Sequence, residues 1–152
     1  MDREAPARVL IVEDEPTLAH MYGRALGLSG HRIDHAADGT EGLKALLSVE
    51  YDLVVSDIRM PGMSGLDLLD KARRLRPDLP FVLMTAQLDV QLYSRAREMG
   101  VVRYLLKPVR LDQLTRAVEN GLKVRAILLR RQERKLRNAG GDTARPSGDP
   151  HR

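Results

Sequence analysis

Along the first 110 residues, short blocks of consecutive apolar residues alternate with longer stretches in which apolar residues recur every three or four positions. Val9-Leu10-Ile11-Val12, Leu53-Val54-Val55, Phe81-Val82-Leu83-Met84 and Tyr104-Leu105-Leu106 are the blocks. They are too short for helices, rich in β-branched and leucine side chains, and do not alternate with polar residues. That pattern predicts parallel strands buried on both faces. His31-Arg32-Ile33-Asp34-His35-Ala36 does alternate, as an edge strand with one good face would. Helices are expected between the blocks. One opens at Glu15-Pro16, carries Leu18, Met21, Tyr22, Ala25 and Leu28, and closes at Ser29-Gly30. A second follows Asp38-Gly39 with Leu43, Leu46 and Leu47. Ser64 caps a third, with Leu66, Leu68, Leu69, Ala72 and Leu75, ended by Arg76-Pro77-Asp78. A fourth is expected over about Leu88 to Met99, stopped by Gly100, and a fifth from Leu111. Five strand–helix units make an α/β, doubly wound parallel sheet.

The polar residue at the end of each apolar block supplies the chemistry. The blocks stop on Glu13-Asp14, on Asp57, on Thr85 and on Lys107-Pro108. In a doubly wound sheet the carboxyl ends of the strands share one rim, where ligands bind. Taken singly, an Asp after a strand is a turn residue, a Thr a helix cap, and a Lys-Pro carries no message. At successive strand ends they form a set. Asp57 can act as a covalent nucleophile toward a phosphoryl group if the negative charges are balanced. Glu13 and Asp14 packed beside it repel it and each other, so full ionisation is costly unless a hard divalent cation joins them. Mg²⁺ suits an all-oxygen site. Lys107 places a compact positive charge, and Thr85 a hydroxyl donor, where transferred oxygens gather charge. Met60-Pro61-Gly62-Met63-Ser64-Gly65 predicts an irregular loop over the site.

At these residues the chain resembles the receiver domain of bacterial response regulators, the phosphoacceptor half of two-component signalling. The resemblance runs from roughly Arg8 to Asn120 and includes Asp57-Ile58-Arg59-Met60-Pro61-Gly62-Met63-Ser64-Gly65 and Tyr104-Leu105-Leu106-Lys107-Pro108. It implies a flavodoxin-like fold of CheY type, (βα)5 with strand order 2-1-3-4-5, and phosphorylation of Asp57 by a sensor histidine kinase or phosphotransfer protein. It also implies Mg²⁺ held by Asp14, Asp57 and the Arg59 backbone carbonyl, with Glu13 acting through a water, and a cis peptide before Pro108. Thr85 and Tyr104 would be the switch residues, altering the face made by the fourth helix, fifth strand and fifth helix. Arg59 and Gln87, each two residues beyond a site residue, would set the lifetime of the phosphorylated state. A degenerate receiver working without phosphorylation is the alternative. A phosphohydrolase with an aspartyl intermediate would want a second carboxylate where Arg59 stands.

Composition narrows the remainder. With 152 residues and 43% hydrophobic residues the chain suits one domain with an appendage. It has no cysteine, so disulfides and thiolate metal sites are excluded. No apolar run is long enough for a membrane span and the opening lacks signal-peptide character, so a cytoplasmic protein is expected. His20, His31, His35 and His151 show no ligand spacing. The basicity is lopsided: residues 1–119 carry 16 Lys/Arg against 18 Asp/Glu, and residues 120–152 carry 9 against 3. The expected organisation is a lead over 1–7, the receiver over 8–120, a basic helical extension over 121–137 and a disordered tail over 138–152. Leu122, Ala126, Leu129 and Leu136 give the extension an apolar trace that Arg125 and Glu133 dilute, and Asn120-Gly121 could interrupt it. Its basic side is expected to be a solvated face, with nucleic acid not a favoured partner. A phosphorylation-dependent homodimer or docking on an unknown output partner is the role expected of this appendage, with a frayed tail as the alternative.

Overall fold

The structure, a computed structural model, describes residues 6–141. The expected lead is therefore described only at residues 6 and 7, and residues 142–152 of the expected tail lie outside the described part. The elements are β1 (Arg8–Val12), α1 (Pro16–Leu28), β2 (Arg32–Ala36), α2 (Gly39–Ser48), β3 (Leu53–Asp57), α3 (Gly65–Leu75), β4 (Phe81–Thr85), α4 (Val90–Glu98), β5 (Arg103–Leu106) and α5 (Leu111–Gly141). All neighbouring strands pair in parallel, in the order β2-β1-β3-β4-β5. The flavodoxin-like order implied by the resemblance is thus the observed one, with β2 at an edge.

Alternate residues of each central strand feed opposite faces, as the pleat requires. Leu10, Val12, Val54, Phe81 and Leu83 pack under α2 and α3 with Leu46, Leu68, Leu69 and Ala72. Val9, Ile11, Leu53, Val55, Val82 and Met84 pack under α1 and α5 with Tyr22, Leu26, Leu114, Ala117 and Val118. Burial on both faces is why these blocks read as uninterrupted apolar runs. Ser64 caps α3 as expected, accepting from Asp67 N at 3.1 Å while the Asp67 carboxylate accepts from Ser64 N at 3.2 Å.

Three expectations shift. In α1 the inward residues are Tyr22 and Leu26, whereas Met21 and Leu28 are exposed, Leu28 to 83%. The helix touches the sheet along a narrow i, i+4 stripe, and the broader apolar pattern hid which residues belong to it. The fourth helix begins at Val90, because Asp89 caps it by accepting from Gln91 N and Leu92 N. Leu88 stays outside and exposed. Finally, α5 runs unbroken through Gly121 to Gly141, so the segment expected as tail begins in helix. A Cβ on Gly121 would come within 2.7 Å of Leu53 Cδ1. The glycine lets the helix lie close against the sheet, which offsets its poor intrinsic propensity of ~1 kcal/mol.

Candidate phosphoacceptor site

The parallel register brings the strand ends to one rim: Val12 lies opposite Ser56, Asp57 opposite Met84, and Thr85 opposite Leu106. Glu13 and Asp14 follow β1, Asp57 ends β3, Thr85 ends β4, and Lys107 follows β5. Backbone bonds hold the flanking turns. Glu13 N donates to Ala36 O at 3.1 Å, Ile58 N to Met84 O at 2.8 Å and Lys107 N to Thr85 O at 2.7 Å. The Lys107–Pro108 peptide is cis.

The Lys107 ammonium sits at the centre, donating to Asp57 Oδ2 at 2.7 Å and Glu13 Oε2 at 3.0 Å. Glu13 Oε1 accepts from Glu15 N at 3.3 Å, and Asp57 Oδ1 from Arg59 N at 3.4 Å. Glu13 and Asp57 are 3% and 6% exposed and Thr85 is fully buried. Burial pushes the Glu13 carboxyl above its ordinary pKa and the Asp57 charge adds to this, while the Lys107 hydrogen bond opposes them without cancelling the rise. Burial also works against the Lys107 charge, but the bonds and charges of Asp57 and Glu13 outweigh it, and its pKa is raised.

Glu13, Asp14 and Asp57 each offer an oxygen, all within 4.8 Å of one another, with Asp14 on the exposed side. Three carboxylates against one ammonium leave two negative charges, the complement of a divalent ion, and the donors are all oxygen, which suits Mg²⁺. The residues present therefore fit that ion. The Thr85 hydroxyl donates to Gln87 O at 3.2 Å and accepts from Gln87 N at 3.4 Å, so Gln87 stands beside the site. Tyr104 stacks edge-on against Tyr93 with ring centroids 5.3 Å apart. Its hydroxyl is buried and makes no hydrogen bond of good geometry among the described residues, though the Thr85 side chain lies near enough to oppose, without cancelling, the rise in pKa that burial causes.

One contributor lies in the segment that the sequence pattern predicts as an irregular loop. A Cβ on Gly65 would collide with the Asp57 backbone carbonyl, so the start of α3 can lie against the end of β3 only because residue 65 has no side chain. The sequence signal was its place after Ser64, at the first helical position.

Comparison with known proteins shows the family to which this fold belongs. Residues 9–119 match the family described as Response regulator receiver domain. The chain is similar to the transcriptional regulatory protein GlrR of Escherichia coli strain K12, 35% identical over 117 residues, covering 77% of this chain and 26% of that protein. It is 38% identical over 125 residues to the probable transcriptional regulatory protein TcrX of Mycobacterium tuberculosis, covering 82% of this chain and 51% of that one. The chain therefore spans between a quarter and about half of the length of these curated relatives. Among solved structures, the Thermotoga maritima response regulator TrrA, in complex with Mg²⁺ and BeF, superposes with a TM-score of 0.69 at 34% identity, covering 76% of this chain and 99% of that one.

Proposed function

The chain belongs to the response regulator receiver family, and on that premise we propose that Asp57 accepts a phosphoryl group from a phosphohistidine on a sensor histidine kinase or phosphotransfer protein. The observation that carries this is the half-buried Lys107 ammonium bridging Asp57 and Glu13, with Asp14 completing a carboxylate triplet at the strand ends. An Asp57 carboxylate oxygen attacks phosphorus, the P–N bond of the donor breaks, and its electron pair returns to the imidazole nitrogen, which takes up a proton. Glu13, Asp14, Asp57 and the Arg59 carbonyl would hold Mg²⁺, which when bound supplies positive charge between carboxylates and phosphoryl oxygens. Lys107 is within reach of the new phosphoryl oxygens and turns its ammonium from the carboxylates toward them. Thr85 exchanges its bond to Gln87 O for one to the phosphoryl group, and Tyr104, behind it, follows. Stabilisation by prepositioned donors is the main demand of phosphoryl transfer.

Movement of Thr85 and Tyr104 would alter the face formed by α4, β5 and α5, and that face would signal to an output partner or a second copy of the chain. Among the described residues no helix is long and apolar enough to cross a membrane, and a cytoplasmic location is proposed with the kinase partnership. Arg59 and Gln87 flank the path of attacking water and would set the rate of autodephosphorylation. Substituting either should change phosphoryl half-life while leaving initial labelling intact, and unchanged decay in both single variants and the double would discard that role.

The central test is labelling by acetyl phosphate. Wild type should label only with divalent metal, Asp57→Asn should not label, and neither should turn over a chromogenic phosphate ester. Full labelling of Asp57→Asn, or of wild type in chelator, would overturn the assignment.

A further inference from the structure

Every residue of α5 from 131 to 140 is exposed, so the distal part of this 31-residue helix stands clear of the domain. Its inner side is fixed by the seam of Leu122, Arg125, Ala126 and Leu129, which lines a hollow with Pro6, Ala7 and Asp52, and Arg130, itself exposed, borders that hollow too. Arg125 is the anchor: it donates to Tyr51 O at 3.0 Å, and its Nε lies 3.6 Å from Asp52 Oδ1. At 3.6 residues per turn, Lys123, Arg130, Arg134 and Arg137 fall within an arc of about 60°, with Arg131 and Lys135 farther round the side away from that seam.

The domain does not neutralise these charges. Lys123, Arg130, Arg131, Arg134 and Lys135 make no hydrogen bond or ion pair with another described residue. Arg137 meets only Glu133 of its own helix, at 3.8 Å, with both side chains mostly exposed. The charge balance of the sequence favoured a solvated face. The structure adds that Lys123, Arg131, Arg134 and Lys135 lie unpaired along the outward side of a rod with Arg130 at its edge, and that Glu133 is the one acidic residue of the rod beyond Gly121 among the described residues.

We propose that the outward side of the distal half of α5 docks on duplex DNA, through the phosphate backbone and without choosing sequence. Duplex DNA carries about one charge per 1.7 Å of axis, and its major groove of ≈ 12 Å admits a helix, so a bare cationic helix is complementary in both charge and width. An interfacial membrane helix needs a broad apolar face beside its cations. Here exposed Val124 and Ile127 are the apolar side chains that fall among the cations, too few for such a face, and beyond Arg130 the one large apolar side chain, Leu136, lies on the opposite side. A second copy of the chain would bring like charges together along the rod, and the better half of the apolar seam is already used by the domain.

Fluorescence anisotropy of a labelled mixed-sequence duplex, titrated with the full chain between about 50 and 200 mM salt, tests this. The expected plot of log K against log salt has a slope near −4, for four or five phosphates at about −0.9 each. Replacing Arg130, Arg131, Arg134 and Lys135 with Gln, a comparable helix former, should weaken binding at least about tenfold at the lower salt and flatten the slope to about −1. Helicity and acetyl phosphate labelling should match wild type. Absence of binding at low salt, equal binding by the Gln variant, or tighter binding to phosphatidylglycerol vesicles at matched phosphate would overturn the proposal.

Discussion

Tyr51 sits two residues before β3 and is buried, with its hydroxyl donating to Asp34 Oδ2 at 2.6 Å. Arg8 reaches the same oxygen at 3.0 Å and lies over the Tyr51 ring at 5.7 Å. The hydrogen bond from Tyr51, followed by those from Arg8, holds the Asp34 carboxyl below its ordinary pKa against its own partial burial. Burial, helped by Asp34, pushes the Tyr51 phenol up to about 12. The two linkages have opposite signs. The Asp34 contribution is present above the ordinary carboxylate range and fades as pH falls, and its side chain is 37% exposed, so its worth is under ~1 kcal/mol. The Tyr51 contribution is complete below about pH 10 and is lost as pH rises toward 12, on the order of 2 kcal/mol. Urea denaturation between pH 8 and pH 12, followed for wild type and Tyr51→Phe, should show the wild type alone losing that increment above about pH 10. Parallel profiles would reject it. This cluster was not legible in the sequence, since it forms only when β2 and the start of β3 flank β1. Asp57, Thr85 and Lys107 were legible because each interrupts an apolar block whose strand end the fold must place on the same rim.

At the scale of elements, strands were easier to read than helix faces. A strand buried on both sides needs only apolar residues in a row, whereas a helix is placed by a stripe that a single residue can shift. In α1 the apolar positions outnumber the contacts, and the pattern alone does not separate buried Leu26 from exposed Leu28. Gly121 shows the same limit from the other side. As a helix breaker it predicts an end to α5, yet it packs against Leu53, Pro80 and Val102, a tertiary reason that no local pattern contains. Gly121→Leu gains helix propensity of about 1 kcal/mol but must displace Leu53 from the core. It should therefore destabilise by about 1 to 3 kcal/mol and lift the Arg125 anchor from Tyr51 and Asp52. Chemical denaturation measures the first, and faster amide exchange at the Leu53–Val55 backbone the second. A variant as stable as wild type would show that α5 is not held closely there.

Across the whole molecule the two rims of the sheet are electrostatically unlike. At the amino-terminal rim, Arg8 and Arg125 face Asp34 and Asp52, and the Tyr51 hydroxyl completes the pairing. At the carboxyl-terminal rim, three carboxylates gather and the one ammonium, Lys107, pairs with two of them, Glu13 and Asp57, an excess that stability alone would not select but that a cation-dependent phosphoacceptor requires. Lys107 and a divalent ion then neutralise overlapping groups, and their contributions to stability cannot be independent. In chelator, Lys107→Ala leaves Glu13 and Asp57 buried without their counter-charge and should cost about 3 kcal/mol, the scale of a broken buried pair. Adding Mg²⁺ at about 100 times its Kd stabilises any protein that binds it only when folded by about 2.7 kcal/mol. At one fixed Mg²⁺ concentration the increment should be larger for Lys107→Ala than for wild type, because the variant's carboxylates lack their competing ammonium. Paired urea melts in chelator and in Mg²⁺ give the coupling directly as the difference between the two increments. Equal increments would mean that the ion and the ammonium act on separate groups, and the shared-carboxylate site would have to be abandoned even if Asp57 remained the phosphoacceptor.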